Sequence, residues 1–463
     1  MELKEKQVLV VGLGRSGLEA SRFLASRAGR VIATDEAPQL ADQQCLEELR
    51  SSGVRLELGG FSRETFLNSD LIILSPGVPP WREPLDEAHA AGIEIISEIE
   101  LACRHIRVPM LAVTGTNGKT TTTELLGQMF RRAGRRVTVA GNIGIPLISC
   151  VELQRELNLI VVEVSSFQLE YVRYFRPRIS ILLNVAEDHL DRYESLETYA
   201  ATKARIFSRQ ESEDFAVVNL EDPLVRSMIP SIRAWVVGIG WGNCKAPCVA
   251  IEDKCISFRL TPEREEIYPL GGIRLQGHHN LENMAAALAA ARLMGCPPER
   301  AMEAMEKFSA LEHRLEWVRQ INGVDYYNDS KATNAAAVVR ALQGFSRPVI
   351  LLAGGRAKGD DMTPLRQAVS KCVRQLILFG EARYRLAEEL DGAAPIEVVS
   401  SLEEAVYLAS EYAVPHDVVL MSPACASFDA FTNFEHRGKF FKETVKCLPE
   451  SDHMPRAAVN AGP

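Results

Sequence analysis

Short, uninterrupted apolar runs recur along this chain, and segments of helical length separate them. In the first hundred residues these runs predict strands at 7–11, 31–35 and 71–74. Strands that are buried on both faces are continuously apolar rather than alternating, so this pattern favours a parallel sheet covered by helices. The first hundred residues are therefore predicted to form an α/β domain.

Two further blocks repeat the pattern. The second begins near residue 97, and the third follows Glu312-His313-Arg314. Short alternating segments between 247 and 275 predict a small antiparallel patch in the second block. The strands predicted in the two blocks lie at 110–113, 136–139, 159–163 and 179–184, and at 324–327, 349–352, 375–379, 396–399 and 418–421.

The stretch 114–122, Thr-Gly-Thr-Asn-Gly-Lys-Thr-Thr-Thr, lies between the strand predicted at 110–113 and a helix predicted at 124–132. Gly115 and Gly118 would let backbone N–H groups approach phosphate oxygens, and the positive dipole end of the helix would point there. Lys119 can neutralise the outer phosphates, and the Thr120 hydroxyl can ligate the accompanying magnesium ion. The spacing Gly-x-x-Gly-Lys-Thr is shorter than the usual Gly-x-x-x-x-Gly-Lys-[Ser/Thr], so this is a variant phosphate loop.

These elements predict an α/β protein of three consecutive α/β domains. A Rossmann-like N-terminal domain is assigned to 1–96, a P-loop-type central ATPase domain to 97–310 and a Rossmann-like C-terminal domain to 311–449. Residues 450–463 are polar and lack periodicity, so they are predicted to be a disordered tail.

The stretch 12–17 matches Gly-x-Gly-x-x-Gly after the first strand, and Asp35 ends the next strand. This is the fingerprint of a dinucleotide site, with an acid placed for a ribose hydroxyl. A site for another nucleotide and a turn needed only for helix–strand packing explain the same glycines. An oxidoreductase does not need the second loop at 115–120, which lowers the weight of the dinucleotide interpretation.

Three polar residues of the second block, Glu163, His189 and Lys203, are further candidates for the site. Glu163 ends an apolar strand and would face the phosphate loop, although a charged strand cap is the alternative. A lone histidine is usually structural, but several acids lie beside His189 and add weight to a magnesium site. Lys203 lies on an amphipathic helix, and sequence physics alone favours a solvated lysine there.

Composition limits the classes of function. The 61 acidic and 52 basic residues give a net charge of −9, which argues against a general nucleic-acid-binding protein. No run reaches the about 18 apolar residues of a membrane span, and the first residues lack the apolar core of a signal peptide. The ten cysteines are scattered and are predicted to be reduced thiols. A metal site at Cys244, Cys248 and Cys255 is disfavoured by their spacing.

Together these residues resemble the Mur ligase family of ATP-dependent amide-bond-forming enzymes. The resemblance covers about 5–446. It is carried by the phosphate loop, Glu163, the Asp188-His189 segment, Lys203 and the stretches 141–144 (Gly-Asn-Ile-Gly), 277–283 (Gly-His-His-Asn-Leu-Glu-Asn), 313–314 (His-Arg) and 328–334 (Asn-Asp-Ser-Lys-Ala-Thr-Asn).

Three segments narrow the resemblance to family members that add D-glutamate to UDP-N-acetylmuramoyl-L-alanine: 163–170, 328–334, and 422–429 together with 433–438. By that resemblance ATP phosphorylates the substrate carboxylate, and the amine of D-glutamate attacks the acyl phosphate. It also implies a cytoplasmic enzyme of peptidoglycan-precursor synthesis that uses ATP and two magnesium ions. We expect a monomer with no nucleic-acid or membrane partner, and closure of the third domain onto the second.

The resemblance also implies the site residues. Lys119, His189 and a carbamylated Lys203 would be catalytic, and Thr120, Glu163, His189 and Lys203 would hold metal. The ATP set is Gly115, Thr116, Asn117, Gly118, Lys119, Thr120, Thr121, Asn280, Asn283, Arg314 and Asp329. The set for the UDP substrate is Gly14, Arg15, Ser16, Asp35, Gly77, Asn142, Ser165, Gln168 and His189. The D-glutamate set is Lys331, Thr333, Lys358, Ser427 and Phe434.

Several alternatives stay open at this point. Phe434 can be a core residue and Ser427 a helix cap, and either Arg356 or Lys358 can face the substrate. Glu36 and Ala37 supply neither a cationic side chain nor a hydroxyl, which weakens the expected uracil contacts beside Asp35. A related ligase, such as a folylpolyglutamate synthetase, and an NAD-linked oxidoreductase are the competing functions.

Overall fold

The computed structural model describes residues 2–40, 43–79, 83–189, 192–242, 244–261, 263–273, 277–308, 312–345, 347–357 and 361–449. The chain packs as two compact units. The first is drawn from 1–185, 197–273 and 282–307, and the second from 186–196, 274–281 and 308–463. The domain limits given above stay predictions. Lys358 and the predicted disordered tail lie outside the described residues.

The first sheet confirms the parallel sheet predicted for the N-terminal residues. Its neighbouring strands are all parallel, in the order β3-β2-β1-β4-β5. The order reverses between β1 and β4, and ligands of open α/β sheets bind at such a reversal. The strands are β1 (Gln7–Val11), β2 (Arg30–Asp35), β3 (Arg55–Leu58), β4 (Leu71–Leu74) and β5 (Glu94–Ser97). The helices are α1 (Arg15–Ala25), α2 (Gln43–Ser51), α3 (Arg63–Leu67), α4 (Glu83–Ala90) and α5 (Glu98–Cys103).

The second sheet has nine strands in the order β14-β13-β12-β11-β10-β9-β6-β8-β7. The strands are β6 (Met110–Thr114), β7 (Val137–Gly141), β8 (Leu159–Glu163), β9 (Ile179–Leu182), β10 (Phe215–Asn219), β11 (Trp235–Trp241), β12 (Cys248–Ile251), β13 (Cys255–Thr261) and β14 (Arg264–Pro269). Its α-helices are α6 (Lys119–Arg132), α7 (Cys150–Leu153), α8 (Ser166–Leu169), α9 (Leu196–Ala204), α10 (Pro223–Met228), α11 (His278–Leu293) and α12 (Pro298–Lys307). Short 3-10 helices lie at η1 (Leu147–Ser149), η2 (Gln154–Glu156), η3 (Arg205–Phe207) and η4 (Ile229–Ser231).

One expectation for this sheet is confirmed and one is corrected. The predicted antiparallel patch is confirmed as β12–β14, which extends the edge of the main sheet. The helix predicted from residue 124 begins at Lys119, directly after the left-handed Gly118. The threonines at 120–123 have weak helix propensity, and burial of three of them against the sheet overrides it.

The third sheet has the order β15-β16-β20-β17-β18-β19, with only β15 and β16 antiparallel. Its strands are β15 (Glu316–Ile321), β16 (Val324–Asn328), β17 (Val349–Gly354), β18 (Val373–Phe379), β19 (Ile396–Val398) and β20 (Val418–Ala424). Its helices are α13 (Ala335–Leu342), α14 (Thr363–Cys372), α15 (Arg383–Glu389), α16 (Leu402–Tyr412) and α17 (Phe434–Cys447). Successive residues of β17 pack into two separate cores, Leu351 into one and Leu352 into the other, because strand side chains alternate between faces.

The cysteine prediction was wrong for one pair. Cys244 and Cys248 form a disulfide in the turn before β12, and the other eight cysteines are not in disulfides. The two cysteines are four positions apart in the sequence, and the turn brings their Cα atoms to 6.3 Å, which a sequence spacing does not reveal. Among the described residues, no helix is long and apolar enough to cross a bilayer.

Candidate active site

The predicted phosphate loop connects β6 to α6 at the carboxyl edge of the second sheet. Gly115 and Gly118 have φ angles of 152° and 86°, which L side chains rarely adopt. A Cβ atom on Gly118 would also lie 2.1 Å from Oδ1 of Asn283. Glycine is therefore required at 118 both by the backbone conformation and by the close approach of Asn283. The first N–H groups of α6 face the loop, which suits an anion.

Two lysines meet at the carbonyl oxygen of Gly115. Lys119 Nζ donates to the carbonyl oxygens of Gly115 and Thr116, both at 2.8 Å. Lys203 Nζ donates to the Gly115 oxygen at 3.0 Å and lies 4.3 Å from the Tyr199 ring centroid. The solvated-lysine interpretation of Lys203 was wrong, since the side chain is only 1% exposed. Helix α9 directs it toward the loop, and a helical pattern alone does not reveal that direction.

Glu163 supplies a buried carboxylate beside the loop. It ends β8, where it is paired in register with Val113 of β6. One oxygen accepts from Nδ2 of Asn142 at 2.8 Å. The other, Oε2, is buried and has no hydrogen-bond partner among the described residues. A strand cap would not need an unsatisfied buried oxygen, whereas a hard cation binds such an oxygen.

Asn184 is a loop residue that the sequence analysis did not single out. Its side chain accepts from the backbone N–H of Asn117 at 2.9 Å and donates to the Asn117 carbonyl at 3.0 Å. Its own carbonyl accepts from Thr116 N. Asn184 thus clamps the middle of the phosphate loop. The sequence did offer a signal, since Asn184 is a polar residue at the end of an apolar strand. The neighbouring parallel strand β6 ends at the same edge of the sheet, where the phosphate loop begins.

The first glycine loop borders a cavity of about 510 Å³ at the reversal of the first sheet. A Cβ atom on Gly17 would lie 1.9 Å from the Gly12 carbonyl oxygen, so packing requires that glycine. Asp35 accepts from the backbone N–H groups of Leu13 and Ala37, at 2.7 and 2.9 Å. The predicted residues Gly14, Arg15, Ser16, Asp35 and Gly77 all line the cavity, and Phe61, which was not predicted, lines it as well.

Arg15 also contacts the neighbouring sheet region. Its guanidinium donates to the carbonyl oxygen of Gly144 at 2.6 Å, close to Asn142 in the predicted 141–144 stretch. Ser165 and Gln168, predicted to contact the substrate, cap α8 through reciprocal hydrogen bonds. Capping fixes their orientation just after Glu163; their substrate contacts stay a prediction.

The second unit holds Asn280, Arg314 and Asp329 of the ATP set. Asp329 accepts from the Ser422 hydroxyl at 2.7 Å and from Leu315 N at 3.2 Å. Burial raises the pKa of Asp329 to about 7, and the charge of Arg314 opposes this rise. Burial lowers the pKa of His279 to about 4. Asn280 belongs to this unit, whereas Asn283 belongs to the first.

His189 also belongs to the second unit, in a left-handed conformation with φ of 58°. Its Nε2 lies 3.7 Å from Oδ2 of Asp188. The same Asp188 oxygen accepts from Nδ2 of Asn334 at 2.9 Å, which connects 186–196 to the start of α13. The acid beside His189 was predicted from the sequence; the contact with Asn334 was not.

Lys331 and Phe434, both predicted for D-glutamate, lie together. Lys331 Nζ is 3.7 Å from the centroid of the half-buried Phe434 ring. Asn433 caps α17, which excludes Ser427 as that cap. Ser427 is nearly fully buried, and its carbonyl accepts from Phe431 N. Thr333 N donates to the Lys331 carbonyl, which holds both residues in one short turn after β16.

Arg437 is a second residue whose role the sequence analysis missed. It is fully buried, and burial lowers its pKa to about 10. Its guanidinium donates to Oγ and O of Ser330 at 3.0 and 2.9 Å and to O of Cys425 at 3.1 Å. It therefore joins the loops that carry Lys331 and Ser427. The signal was a charged residue in the apolar stripe of α17, four residues before Phe441.

Comparison with known proteins agrees with this geometry. Three family models match the chain: the Mur ligase MurD-like N-terminal domain over 6–97, the Mur ligase middle domain over 113–291 and the Mur ligase glutamate ligase domain over 313–425. These matches cover most of the chain, and the middle-domain match contains the phosphate loop and the buried Glu163. The chain belongs to the Mur ligase family, whose members are ATP-dependent ligases.

Curated relatives are similar over nearly their whole length. The UDP-N-acetylmuramoylalanine–D-glutamate ligase of Pelobacter propionicus is 46% identical over 448 residues, which covers 97% of this chain and 100% of that protein. The enzyme of the same name from Geotalea uraniireducens is 45% identical, covering 97% and 99%.

Solved structures share the fold at lower identity. A pseudomurein peptide ligase type C from Methanothermus fervidus superposes with a TM-score of 0.61 at 19% identity, covering 96% of this chain and 99% of that chain. The UDP-N-acetylmuramate-alanine ligase of Thermotoga maritima gives a TM-score of 0.58 at 17% identity, with the same coverage. The α/β fold prediction is confirmed.

Proposed function

We propose that this chain joins D-glutamate to UDP-N-acetylmuramoyl-L-alanine with the hydrolysis of ATP, as its curated relatives are named to do, in cytoplasmic peptidoglycan-precursor synthesis. The observation that carries the chemistry is the meeting of Lys119 and Lys203 at the phosphate loop, beside the buried Glu163. The relatives' names support the choice of substrates.

The reaction needs two anions to meet. The substrate carboxylate attacks the γ-phosphorus of ATP, the bond to ADP breaks, and an acyl phosphate forms. The amine of D-glutamate then attacks the acyl carbon, and inorganic phosphate leaves from the tetrahedral intermediate. Lys119 would neutralise the charge on the γ-phosphate, and the backbone N–H groups of 115–120 would fix the phosphate chain. Asn184 would keep that loop in its binding conformation.

Magnesium fits the residues beside the loop. The unsatisfied Oε2 of Glu163 and the Thr120 hydroxyl are hard oxygen donors, and we assign one ion to them. His189 and a carbamylated Lys203 would hold a second. Magnesium would supply charge neutralisation for the phosphates. The Lys203 carbamate would convert a buried cation into an anionic oxygen ligand.

The UDP substrate, D-glutamate and the adenosine part of ATP would each bind at a separate group of residues. The cavity beside Gly14, Arg15, Ser16 and Gly77 would hold the UDP part of the substrate. Lys331, Thr333, Ser427 and Phe434, together with Lys358 or Arg356, would hold D-glutamate, the cations pairing with its carboxylates. Asn280, Asn283, Arg314 and Asp329 would hold the adenosine part of ATP. We further propose that the enzyme acts as a monomer.

Phosphate release with each acceptor tests the proposal. We expect release from ATP only when UDP-N-acetylmuramoyl-L-alanine and D-glutamate are both present. Equal turnover with L-glutamate, or turnover with a folate acceptor instead, would assign a different ligase. A change in nicotinamide absorbance without phosphate release would return the first loop to dinucleotide chemistry.

Lys203 provides a separate test of the carbamate. We expect Lys203→Ala to lose turnover and short-chain carboxylates to restore part of it, because they can occupy the position of the carbamate. A ¹³C resonance from labelled CO₂ should be present in wild type and absent in Lys203→Ala. No rescue in a folded variant, together with no labelled resonance in wild type, would contradict the modification.

A further inference from the structure

The amino ends of the central strands carry a surface that the proposed reaction does not use. The phosphate loop and Glu163 lie at the carboxyl ends of β6 and β8. At the opposite edge, β6, β9, β10 and β11 begin side by side. Arginine and aromatic side chains surround these strand starts. We define the arginine–aromatic patch as Arg107, Arg173, Tyr174, Arg176, Arg209 and Trp235.

Tyr174 lies in the middle of three guanidinium groups. Its side chain is 53% exposed, and the Cζ atoms of Arg104, Arg173 and Arg209 lie 5.1, 5.6 and 5.6 Å from its ring centroid. An exposed aromatic ring surrounded by arginines offers apolar area and positive charge in one place.

The same pairing of side chains continues along the sheet edge. Trp235 is 49% exposed and stacks on Phe215, with ring centroids 5.8 Å apart. The guanidinium of Arg178 lies 5.5 Å from the Phe215 ring. The patch therefore extends over the starts of adjacent strands and is not a single exposed ring.

Two buried carboxylates, Glu100 and Asp214, hold the backbone at 173–175 and the guanidinium groups of Arg104, Arg176 and Arg178. Glu100 accepts from the backbone N–H groups of 173–175 and from Arg104 Nε. Asp214 accepts from Arg176 Nε at 2.7 Å and from Arg178 at 3.2 Å. The side chains of Arg173 and Arg176 remain 62% and 40% exposed. Arginines that are already ordered lose less conformational entropy when they bind a partner.

The patch is concave at its centre. Arg107, Tyr174, Arg176, Arg178 and Asp214 are among the residues that line a cleft of about 310 Å³ above the first residue of β6. Asp214 already accepts from Arg176 and Arg178, so a carboxylate that enters the cleft would pair with Arg107. A lipid surface would meet only the rim. Four acids pair with arginines of this region, Glu94, Glu100, Glu213 and Asp214. The six arginines there, Arg104, Arg107, Arg173, Arg176, Arg178 and Arg209, outnumber these acids, so the region keeps a positive excess in a chain of net charge −9.

We propose that the arginine–aromatic patch binds an acidic segment of another protein. Carboxylates of that segment pair with Arg107, Arg173 and Arg209, and an apolar side chain packs on Tyr174 and Trp235. Arginine, tyrosine and tryptophan are the residues that most often dominate protein–protein binding energy. The patch lies away from the phosphate loop, so binding leaves the ligase reaction in place.

Fluorescence anisotropy with a labelled dodecapeptide of alternating Glu and Leu tests this proposal. Wild type should bind it, with an affinity that falls as salt concentration rises. The variant Arg173→Glu/Arg209→Glu should weaken binding by about tenfold or more. The control Arg63→Glu/Arg300→Glu makes the same charge change at arginines that are 70% and 52% exposed, and it should bind as wild type does. Ligase turnover in all three proteins reports on folding.

Other outcomes would overturn the proposal. These are equal loss in the control, unchanged binding in the patch variant, and tight binding of the peptide in which Gln replaces Glu. Binding to phosphatidylglycerol vesicles but not to the peptide would identify the patch as a membrane surface instead. Failure of wild type to bind either probe would leave the arginines with a structural role only.

Discussion

The two glycine-rich loops of the first unit are built alike and differ in their surroundings. Each follows a central parallel strand and precedes a helix, α1 or α6. The first borders an open cavity, and its nearest acid, Asp35, is occupied by two backbone N–H groups. The second holds Lys119 and Lys203 against its own carbonyl groups, and the Glu163 carboxylate has one oxygen without a hydrogen-bond partner among the described residues. Because the glycines of the two loops are alike, we attribute the different roles proposed for the loops, substrate binding and catalysis, to the residues that the neighbouring strands supply.

The largest expected effect is on the second loop. Lys119→Ala should lower the rate of phosphate release by about 10³-fold, because the developing phosphate charge loses its cation. Binding of UDP, measured by calorimetry, should not change. Arg15→Ala is the matched change in the first loop and should raise KM for the UDP substrate with kcat retained. Equal effects of both changes on kcat would remove the distinction between the loops.

Replacing one glycine of each loop by alanine tests whether the two loops differ in backbone strain. Gly118→Ala should cost about 1–3 kcal/mol in the free energy of unfolding, because φ is 86° and the new Cβ meets Asn283. Gly14→Ala should be close to neutral, since φ is −70° and its Cβ meets nothing within 4 Å. Urea denaturation measures both. Similar losses would show that the two loops are equally strained.

Glu36 and Ala37 supply neither a cationic side chain nor a hydroxyl that could bind a uracil base in the first cavity. We expect the Phe61 ring to bind the base by stacking instead. The ring lines the cavity and packs edge-on against Phe66, with centroids 5.9 Å apart. Loss of stacking in Phe61→Ala should weaken UDP binding by about tenfold with kcat unchanged. Phe61→Tyr should bind as wild type does. If Phe61→Ala binds UDP normally, the base lies elsewhere in the cavity.

A pH dependence is expected from Glu98, which connects helix α5 to the backbone at Ile148. Its Oε1 accepts from Ile148 N at 2.6 Å, and burial raises its pKa from 4.5 to about 7. Between those values the folded state binds more protons than the unfolded state, so the free energy of unfolding falls as pH rises. The loss should reach about 3 kcal/mol at most.

Denaturation at pH 5 and pH 8 measures that loss. Wild type should lose more stability over this interval than Glu98→Gln, while Glu47→Gln, at an exposed acid, should follow wild type. A Glu98→Gln protein with the full wild-type pH dependence would show that other groups cause it.

Much of the fold was predictable because strands that are buried on both faces appear in the sequence as short, continuously apolar runs. The strands β1, β4 and β8 were predicted with their observed limits, and the phosphate loop was located from its spacing alone. The strands β10 and β11 were missed; β11 contains Gly238 and Gly240, which weaken a strand pattern. Lys119 and Glu163 were found because each follows directly from a strand end. Asn184, Phe61 and Arg437 were missed because their roles depend on partners far away in sequence.

The sequence by itself determined three α/β regions, two glycine loops and the residue types of a phosphate-handling site, since strand burial and tight turns depend on local order. Only the tertiary structure decided that Lys203 is buried against Gly115, that Asn184 clamps the loop and that Arg437 bonds both Ser330 and Cys425. It also gathered scattered arginines at the amino ends of the central strands. Each of these contacts joins residues that are distant along the chain, so its geometry depends on how the strands are ordered in the sheet.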